Sequence, residues 1–322
     1  MLSVVIATRN RCHDLTEALA SLEVQQTRTA FEVIVVDNGS TDATRSVVDS
    51  HPNGGRTRYV FEATPGLSTA RNTGIGAARG EQVAFMDDDA VADPGWIQAL
   101  QDGFEQTRAE GLGGRVEGLW QCPRPLWFPP ALDYLVSVFD GGERAHSFAP
   151  PHSAPVGTNM AFQRRCLVEG GGFDPVYGRN GQRFCGGEDY AVAYRLLAAG
   201  GSVLYWPAAV VWHKVTADRV RFGRLLRLAL DGGRMAAHLR GQVAPAAPSV
   251  RAPAAWAEIR TPRPSAPPTG CQASGPGQFG GFQRLGAWLL RPLTVAVLKA
   301  VTVMGYGSER CSAACRRTAT VE

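Results

Sequence analysis

Three consecutive aspartates, Asp87-Asp88-Asp89, follow the apolar run Val83-Ala84-Phe85-Met86, where a buried strand would run out into a loop. On a strand alternate residues share a face, so Asp87 and Asp89 would point together and Asp88 away. Two carboxylates ~6 Å apart repel by roughly 3 kcal/mol at an effective dielectric near 20, and a divalent cation between them reverses the sign of that term. Hard oxygen ligands favour Mg2+ or Mn2+, ions commonly held by one or two carboxylates together with a substrate's phosphates. The competing reading is a solvated acidic turn, since Asp is common in turns.

The elements that would position this triplet are short. Val4-Val5-Ile6-Ala7, Phe31-Glu32-Val33-Ile34-Val35-Val36, Arg58-Tyr59-Val60-Phe61 and the run before the aspartates read as strands. Amphipathic helical patterns lie between them, one carrying Leu15, Leu19 and Leu22 and another spanning about 68–78. Strands interleaved with helices predict an α/β fold with a mostly parallel sheet flanked by helices, in which ligands bind beyond the carboxyl ends of the strands. Thr8-Arg9-Asn10, Asp37-Asn38-Gly39-Ser40 and the aspartates stand at those ends and would share one rim.

From Trp120 to about 155 the pattern breaks into Pro, Trp and Phe, which reads either as part of a binding site or as a flap over apolar surface. Regular pattern returns at Val156–Phe162, in a helix from about Glu188 to Ala199, and in two runs, 202–206 and 209–212, that lead to His213. Residues 1–240 therefore form a first domain. Residues 241–281 read as a Pro/Ala/Gly-rich flexible linker and 282–322 as a C-terminal apolar helix with a basic tail. Within that helix Arg284, Arg291 and Lys299 recur at seven- and eight-residue spacing, on one face. Central charges offset the apolar gain of spanning, so the helix reads as amphipathic, lying on a membrane surface through 282–307 or packing on protein.

Composition is that of an ordinary globular protein, 44% hydrophobic and 19% charged, and a net charge of +4 does not announce nucleic acid as a partner. The seven cysteines are scattered, odd in number and without a CxxC pair, which points to neither a zinc site nor a disulfide framework. With no basic n-region and apolar h-region ahead of the first strand, a cytoplasmic location is expected, peripheral on the inner face of the membrane if the tail binds there.

An acidic metal site on a sheet rim suggests a nucleotide diphosphate. The turn after the first strand, Ala7-Thr8-Arg9-Asn10-Arg11, has no glycine, which excludes a GxGxxG dinucleotide fingerprint, and a Walker loop is absent. The segments 5–11, 35–42, 65–75 and 85–89 together resemble the family 2 glycosyltransferases of GT-A fold. Gly157-Thr158-Asn159-Met160, Gly171-Gly172-Phe173-Asp174, Gly187-Glu188-Asp189 and Trp212-His213 continue that resemblance in the family's order, over roughly residues 1–225.

The resemblance implies a GT-A type Rossmann-like fold and a metal-dependent inverting transfer of sugar from a nucleotide-diphosphate sugar donor to an acceptor hydroxyl on a glycan, lipid or small metabolite. It implies that Thr8, Arg9 and Asp37 line the base and ribose pocket, that Arg71 approaches the base or diphosphate, and that Asp88 reaches the ribose. Asp87 and Asp89 match the metal-binding pair, for Mn2+ or Mg2+, and His213 matches a third ligand; a histidine ending a strand is the plainer reading of the latter. Asp189 is the candidate general base and Glu188 the fallback, although both carboxylates would also suit a helix N-terminus as capping groups. Trp120, Trp127 and Phe128 would stack on sugar or aglycone, or simply pack. A sugar nucleotidyltransferase would need a Gly-rich basic loop after the first strand, and a silent binding protein has no need of a base.

Overall fold

The computed structural model describes residues 1–242 apart from 53–54, 149–152 and 180–183, together with positions 296, 297 and 300. The expected linker and C-terminal helix, 241–281 and 282–322, thus lie almost wholly outside the described residues. The chain runs β1 (Leu2–Thr8), α1 (Cys12–Glu23), β2 (Phe31–Asp37), α2 (Thr44–Asp49), β3 (Thr57–Phe61), α3 (Leu67–Ala77), β4 (Gln82–Met86), β5 (Ala90–Ala92) and α4 (Trp96–Thr107). It continues through β6 (Gly111–Trp120), a 3-10 turn (Pro130–Val136), β7 (His146–Ser147), β8 (Asn159–Gln163), α5 (Arg164–Glu169), β9 (Gly178–Arg179), β10 (Phe184–Cys185), α6 (Glu188–Ala198), β11 (Val203–Val215) and α7 (Phe222–Gln242).

Among the described residues one sheet has the order β3-β2-β1-β4-β8-β6-β11-β5, with β7 also paired to β11, and β9 and β10 form a separate ribbon. The strands β3, β2, β1 and β4 pair in parallel. Beyond β4 the directions mix: β8 is antiparallel to β4 and β6, β6 and β11 are parallel, and β5 and β7 are antiparallel to β11. An apolar run marks a strand but carries no sign for its direction, so the expected parallel character holds in the first half of the sheet and gives way in the second.

The pleat divides the core. Leu2, Val4 and Ile6 face a layer containing Leu15 and Leu19 of α1 and Trp96 and Leu100 of α4. Val5 faces the other, with Ala70 and Ile75 of α3, Leu167 of α5 and Val192 of α6. Close approach there needs Gly74, whose added Cβ would lie 2.4 Å from Val5 Cγ1. Being covered on both faces, β2 is buried along its whole length, which is why Val33-Ile34-Val35-Val36 is apolar without alternation.

The two runs expected at 202–206 and 209–212 are one strand, β11, with a shift of register between Trp206 and Val210. Pro207 has no N–H for the ladder at this point. The Ala209 carbonyl accepts a hydrogen bond from Asn159 Nδ2 at 2.9 Å. Asn159, fully buried, also donates to the Arg115 carbonyl at 2.8 Å and accepts from Trp96 Nε1 at 2.9 Å.

A third, smaller core explains the Pro/Trp-rich stretch. Phe128, Leu132 and Val136 bury against Val215, Val220, Leu225 and Ala229, and Trp120 and Trp127 meet Phe128 edge-on. These aromatics pack, and in doing so they fix α7 against the rest of the fold. Among the described residues no helix is long and apolar enough to cross a membrane.

Asn159→Ala would strand the Trp96 N–H and two buried carbonyls. Each lost partner costs about 1–3 kcal/mol, so a stability loss of at least about 3 kcal/mol is expected in urea unfolding. A loss under about 1 kcal/mol would contradict this account of the bulge.

Candidate active site

Parallel pairing sets Thr8 beside Asp37 and Val5 beside Phe85, so the carboxyl ends of β1, β2 and β4 share one rim, as expected. The strand β4 ends at Met86, and the chain turns through the aspartates, with Ala90 N–H donating to the Asp87 carbonyl at 3.2 Å. Strand alternation therefore does not apply to the triplet. Asp88, expected to point away, lines the same cavity of about 580 Å3 as Asp87 and Asp89. It accepts a hydrogen bond from Thr8 Oγ1 at 2.7 Å and pairs with Arg11 at 3.3 Å.

Antiparallel pairing of β5 with β11 sets His213 opposite Ala90 and brings it to the triplet. Lys214 N–H donates to the Asp89 carbonyl at 3.0 Å, and its ammonium reaches Asp14 and Glu17 of α1 at 2.7 and 3.0 Å. His213 is fully buried, and neither ring nitrogen has a hydrogen-bond partner. Its Nε2 stands 3.3 Å from Asp89 Oδ1, close enough to pair but off hydrogen-bond geometry.

One ligand atom from each of Asp87, Asp89 and His213 lies within 4.8 Å of the others. Two carboxylate oxygens and an imidazole nitrogen suit a divalent ion such as Mn2+, and a buried imidazole that makes no hydrogen bond beyond its approach to Asp89 has room for a further partner. The residues therefore fit a metal. Asp87 is oriented by Thr158 Oγ1 at 2.7 Å and Arg71 at 3.2 Å. Asp89 Oδ2 accepts Arg11 at 2.5 Å and also Arg219. Burial alone would raise the Asp89 pKa, but His213, Arg219 and Arg11 outweigh it and hold the group well below the usual range.

The N-terminus of α6 lines the same cavity. Gly187 enters it at φ +99°, a left-handed conformation that glycine adopts without strain. Glu188, 7% exposed, accepts Arg71 Nη1 at 2.9 Å. Arg71, itself buried, also donates to the Gly157 carbonyl at 3.2 Å, so its guanidinium ties Asp87 to Glu188 beneath the cavity. Half-buried Asp189 accepts from Gly157 N–H at 2.9 Å and from its own neighbour Tyr190 N–H at 2.8 Å. Burial and then the Glu188 charge push its pKa up to about 7, against Arg71 and those two N–H groups. Asp88 is likewise raised to about 7, by burial and by Asp89.

Of the residues singled out in the sequence, Thr8, Arg9, Arg71, Asp87, Asp88, Asp89, Glu188 and Asp189 line this one cavity, and His213 stands behind Asp89. Asp37 is buried beside it, accepting from Ser40 N–H at 2.8 Å and Tyr59 Oη at 2.7 Å, and is not among the lining residues. Sequence reasoning missed Arg11, Thr158 and Arg219, and the α7 wall of Leu228, Ala229 and Met235. Arg11 and Thr158 sat inside segments already noted as motifs; Arg219 and α7 carried no local signal.

The fold and this rim define an α/β enzyme of GT-A type. Residues 3–169 match the model of glycosyl transferase family 2, and the chain belongs to that family. It is 30% identical over 228 residues to the glucosyl-dolichyl phosphate glucuronosyltransferase of Haloferax volcanii, covering 70% of this chain and 72% of that one. A validoxylamine A glucosyltransferase of Streptomyces hygroscopicus subsp. jinggangensis is 42% identical over 103 residues, 31% of this chain and 24% of that protein. Among solved structures, S. aureus TarS 1–349 with UDP-GlcNAc superposes with TM-score 0.54 at 17% identity, covering 74% and 71% of the two chains. GalNAc-T7 with UDP, GalNAc and Mn2+ gives 0.55 at 18% identity, covering 77% and 52%. At such identities the likeness shows the fold alone.

Arg71→Met keeps most of the side chain's apolar length but strands Glu188. A stability loss of about 3–5 kcal/mol is expected in urea unfolding, the usual effect of breaking a buried pair from one side; a loss under about 1 kcal/mol would contradict the bridging role. Since the folded pKa of Asp189 lies above its unfolded value of about 4, its protonated form is the one the fold favours. That contribution is full below about pH 4 and is lost as pH rises through about 7. Asp189→Asn, uncharged throughout, should gain on the wild type in melting temperature as pH is raised from about 5 to about 8. A difference that stays constant over this range would contradict the shift.

Proposed function

We propose that this cavity binds the nucleotide-diphosphate sugar donor of a metal-dependent inverting glycosyltransferase, and that Asp189 is its general base. The observation that carries the reading is the Asp87-Asp89-His213 cluster, its buried imidazole without a hydrogen bond, in the same cavity wall as a carboxylate whose pKa is raised to about 7. Thr8 and Arg9 lie where β1 opens onto the rim and suit the base and ribose; Asp37 supports that pocket from behind through Ser40, and Asp88 offers a carboxylate to the ribose. Asp87, Asp89 and His213 would hold Mn2+ or Mg2+. When bound, such a cation supplies positive charge against the departing diphosphate.

The protein's own part is orientation and proton transfer. Each Asp189 oxygen already accepts one backbone N–H, which fixes the carboxylate plane and leaves a lone pair on each free for an acceptor hydroxyl. The acceptor oxygen forms its bond to the anomeric carbon as the bond from that carbon to the diphosphate oxygen breaks. The electron pair leaves with the diphosphate, the proton passes to Asp189, and attack from the opposite face inverts configuration. A base with pKa about 7 is matched to this at neutral pH. Arg71 positions rather than reacts, since its guanidinium already serves Asp87 and Glu188.

The acceptor is a hydroxyl on a glycan, lipid or small metabolite. The relatives named above include a glucosyl-dolichyl phosphate glucuronosyltransferase and a validoxylamine A glucosyltransferase. Peripheral contact with a membrane through residues 282–307 belongs to this reading and rests on the sequence pattern alone.

UDP, GDP or TDP should raise the melting temperature only with Mn2+ present, because a ligand of the folded state alone stabilises it. Asp87→Ala should abolish that shift. Asp189→Asn should keep it while sugar transfer falls by about 10²-fold or more. Equal stabilisation of Asp87→Ala, or undiminished transfer by Asp189→Asn, would overturn the assignment of roles.

A further inference from the structure

Two guanidiniums converge on one oxygen at the proposed metal site. Asp89 is 5% exposed, and its Oδ2 accepts both Arg11, at 2.5 Å, and Arg219. The arginines come from separate places, Arg11 from the residue before α1 and Arg219 from the turn between β11 and α7. Both line the cavity. We infer that Arg11 and Arg219 form a latch that occupies Asp89 until a diphosphate draws them away, so that cation and diphosphate bind as a coupled pair. The inference rests on the metal site proposed above and adds to it two residues and a sign.

Charge supplies the reason. The cavity wall carries Asp87, Asp88, Asp89, Glu188 and Asp189 against Arg9, Arg11, Arg71, Arg179, Arg219 and Arg224, an excess of arginines that protonation of Asp88 or Asp189 enlarges. A divalent cation alone adds positive charge to a wall that already holds more arginines than carboxylates, whereas a diphosphate, as the diester of a donor or the more highly charged monoester UDP, offsets that charge. A cation on Asp89 would also stand close to both latch guanidiniums. Unit charges ~5 Å apart repel by about 3 kcal/mol at an effective dielectric near 20. Guanidinium forks match phosphate oxygens as well as they match a carboxylate, so an arriving diphosphate offers both arginines a new partner. Once they have turned, Asp89 keeps its charge for the cation. The coupling is reciprocal by linkage: whatever factor the nucleotide lends the metal, the metal lends the nucleotide.

The latch predicts opposite signs for the two ligands, which a merely structural role for Arg219 does not. Mn2+ binding to the full chain can be followed by the electron paramagnetic resonance of free Mn2+, with and without saturating UDP, and UDP binding by calorimetry at saturating Mn2+. In the wild type UDP should tighten Mn2+ at least tenfold. Arg219→Gln should bind Mn2+ alone at least fivefold more tightly than the wild type, bind UDP at least tenfold more weakly, and show a smaller coupling factor. Arg11→Gln should move all three in the same directions and serves if Arg219→Gln does not fold. Unchanged or weaker Mn2+ binding by both variants, with wild-type binding intact, would overturn the latch and leave the metal site standing. Absence of Mn2+ binding by the wild type, even with UDP, would remove the site and the latch together.

Discussion

Repulsion among carboxylates is the constraint around which this rim is built. Three stand in a single turn after β4, and two more line the same cavity from the start of α6. Their partners come from several parts of the chain: Arg71 of α3 serves Asp87 and Glu188, Thr8 and Arg11 serve Asp88, Arg11, Arg219 and His213 serve Asp89, and the Gly157 and Tyr190 N–H groups serve Asp189. The acidic turn thus draws together the parallel half of the sheet and the mixed half. An acidic cluster that is costly in isolation becomes a junction between the two halves of the sheet.

The two halves of the sheet contribute differently. The family match covers residues 3–169, which include the rim of β1, β2 and β4. Asp189, His213 and Arg219 come afterwards, carried by α6, β11 and the turn beyond it. The third core then sets α7 as an apolar wall facing the polar rim. The acidic rim is therefore fixed by buried strands and an antiparallel pairing, whereas the α7 wall rests on a separate packing cluster.

Much of this was legible in the sequence. The strands buried on both faces announced themselves as apolar runs, and a short polar segment at the end of each located the rim. Asp87, Asp89 and Asp189 followed from position and from the resemblance, and His213 from the resemblance alone. What failed to show has physical causes. The direction of Asp88 was misread because the strand stops at Met86 and its period stops with it. Arg11 and Arg219 were missed because an ion pair across 78 or 130 residues leaves no periodicity behind. Trp120, Trp127 and Phe128 offered packing or stacking equally until α7 appeared against them. Pro207 split one strand into two on paper, while in the fold Asn159, nearly fifty residues earlier, satisfies the irregularity it creates.

The central claim is that a divalent cation sits on Asp87 and Asp89 with the His213 imidazole as a direct ligand. Electron spin-echo envelope modulation of Mn2+ bound in the presence of UDP reads directly coordinated nitrogen. The account predicts a 14N coupling of imidazole type in the wild type that disappears in His213→Gln. A bound Mn2+ with no nitrogen coupling, or with one that survives that substitution, would contradict it.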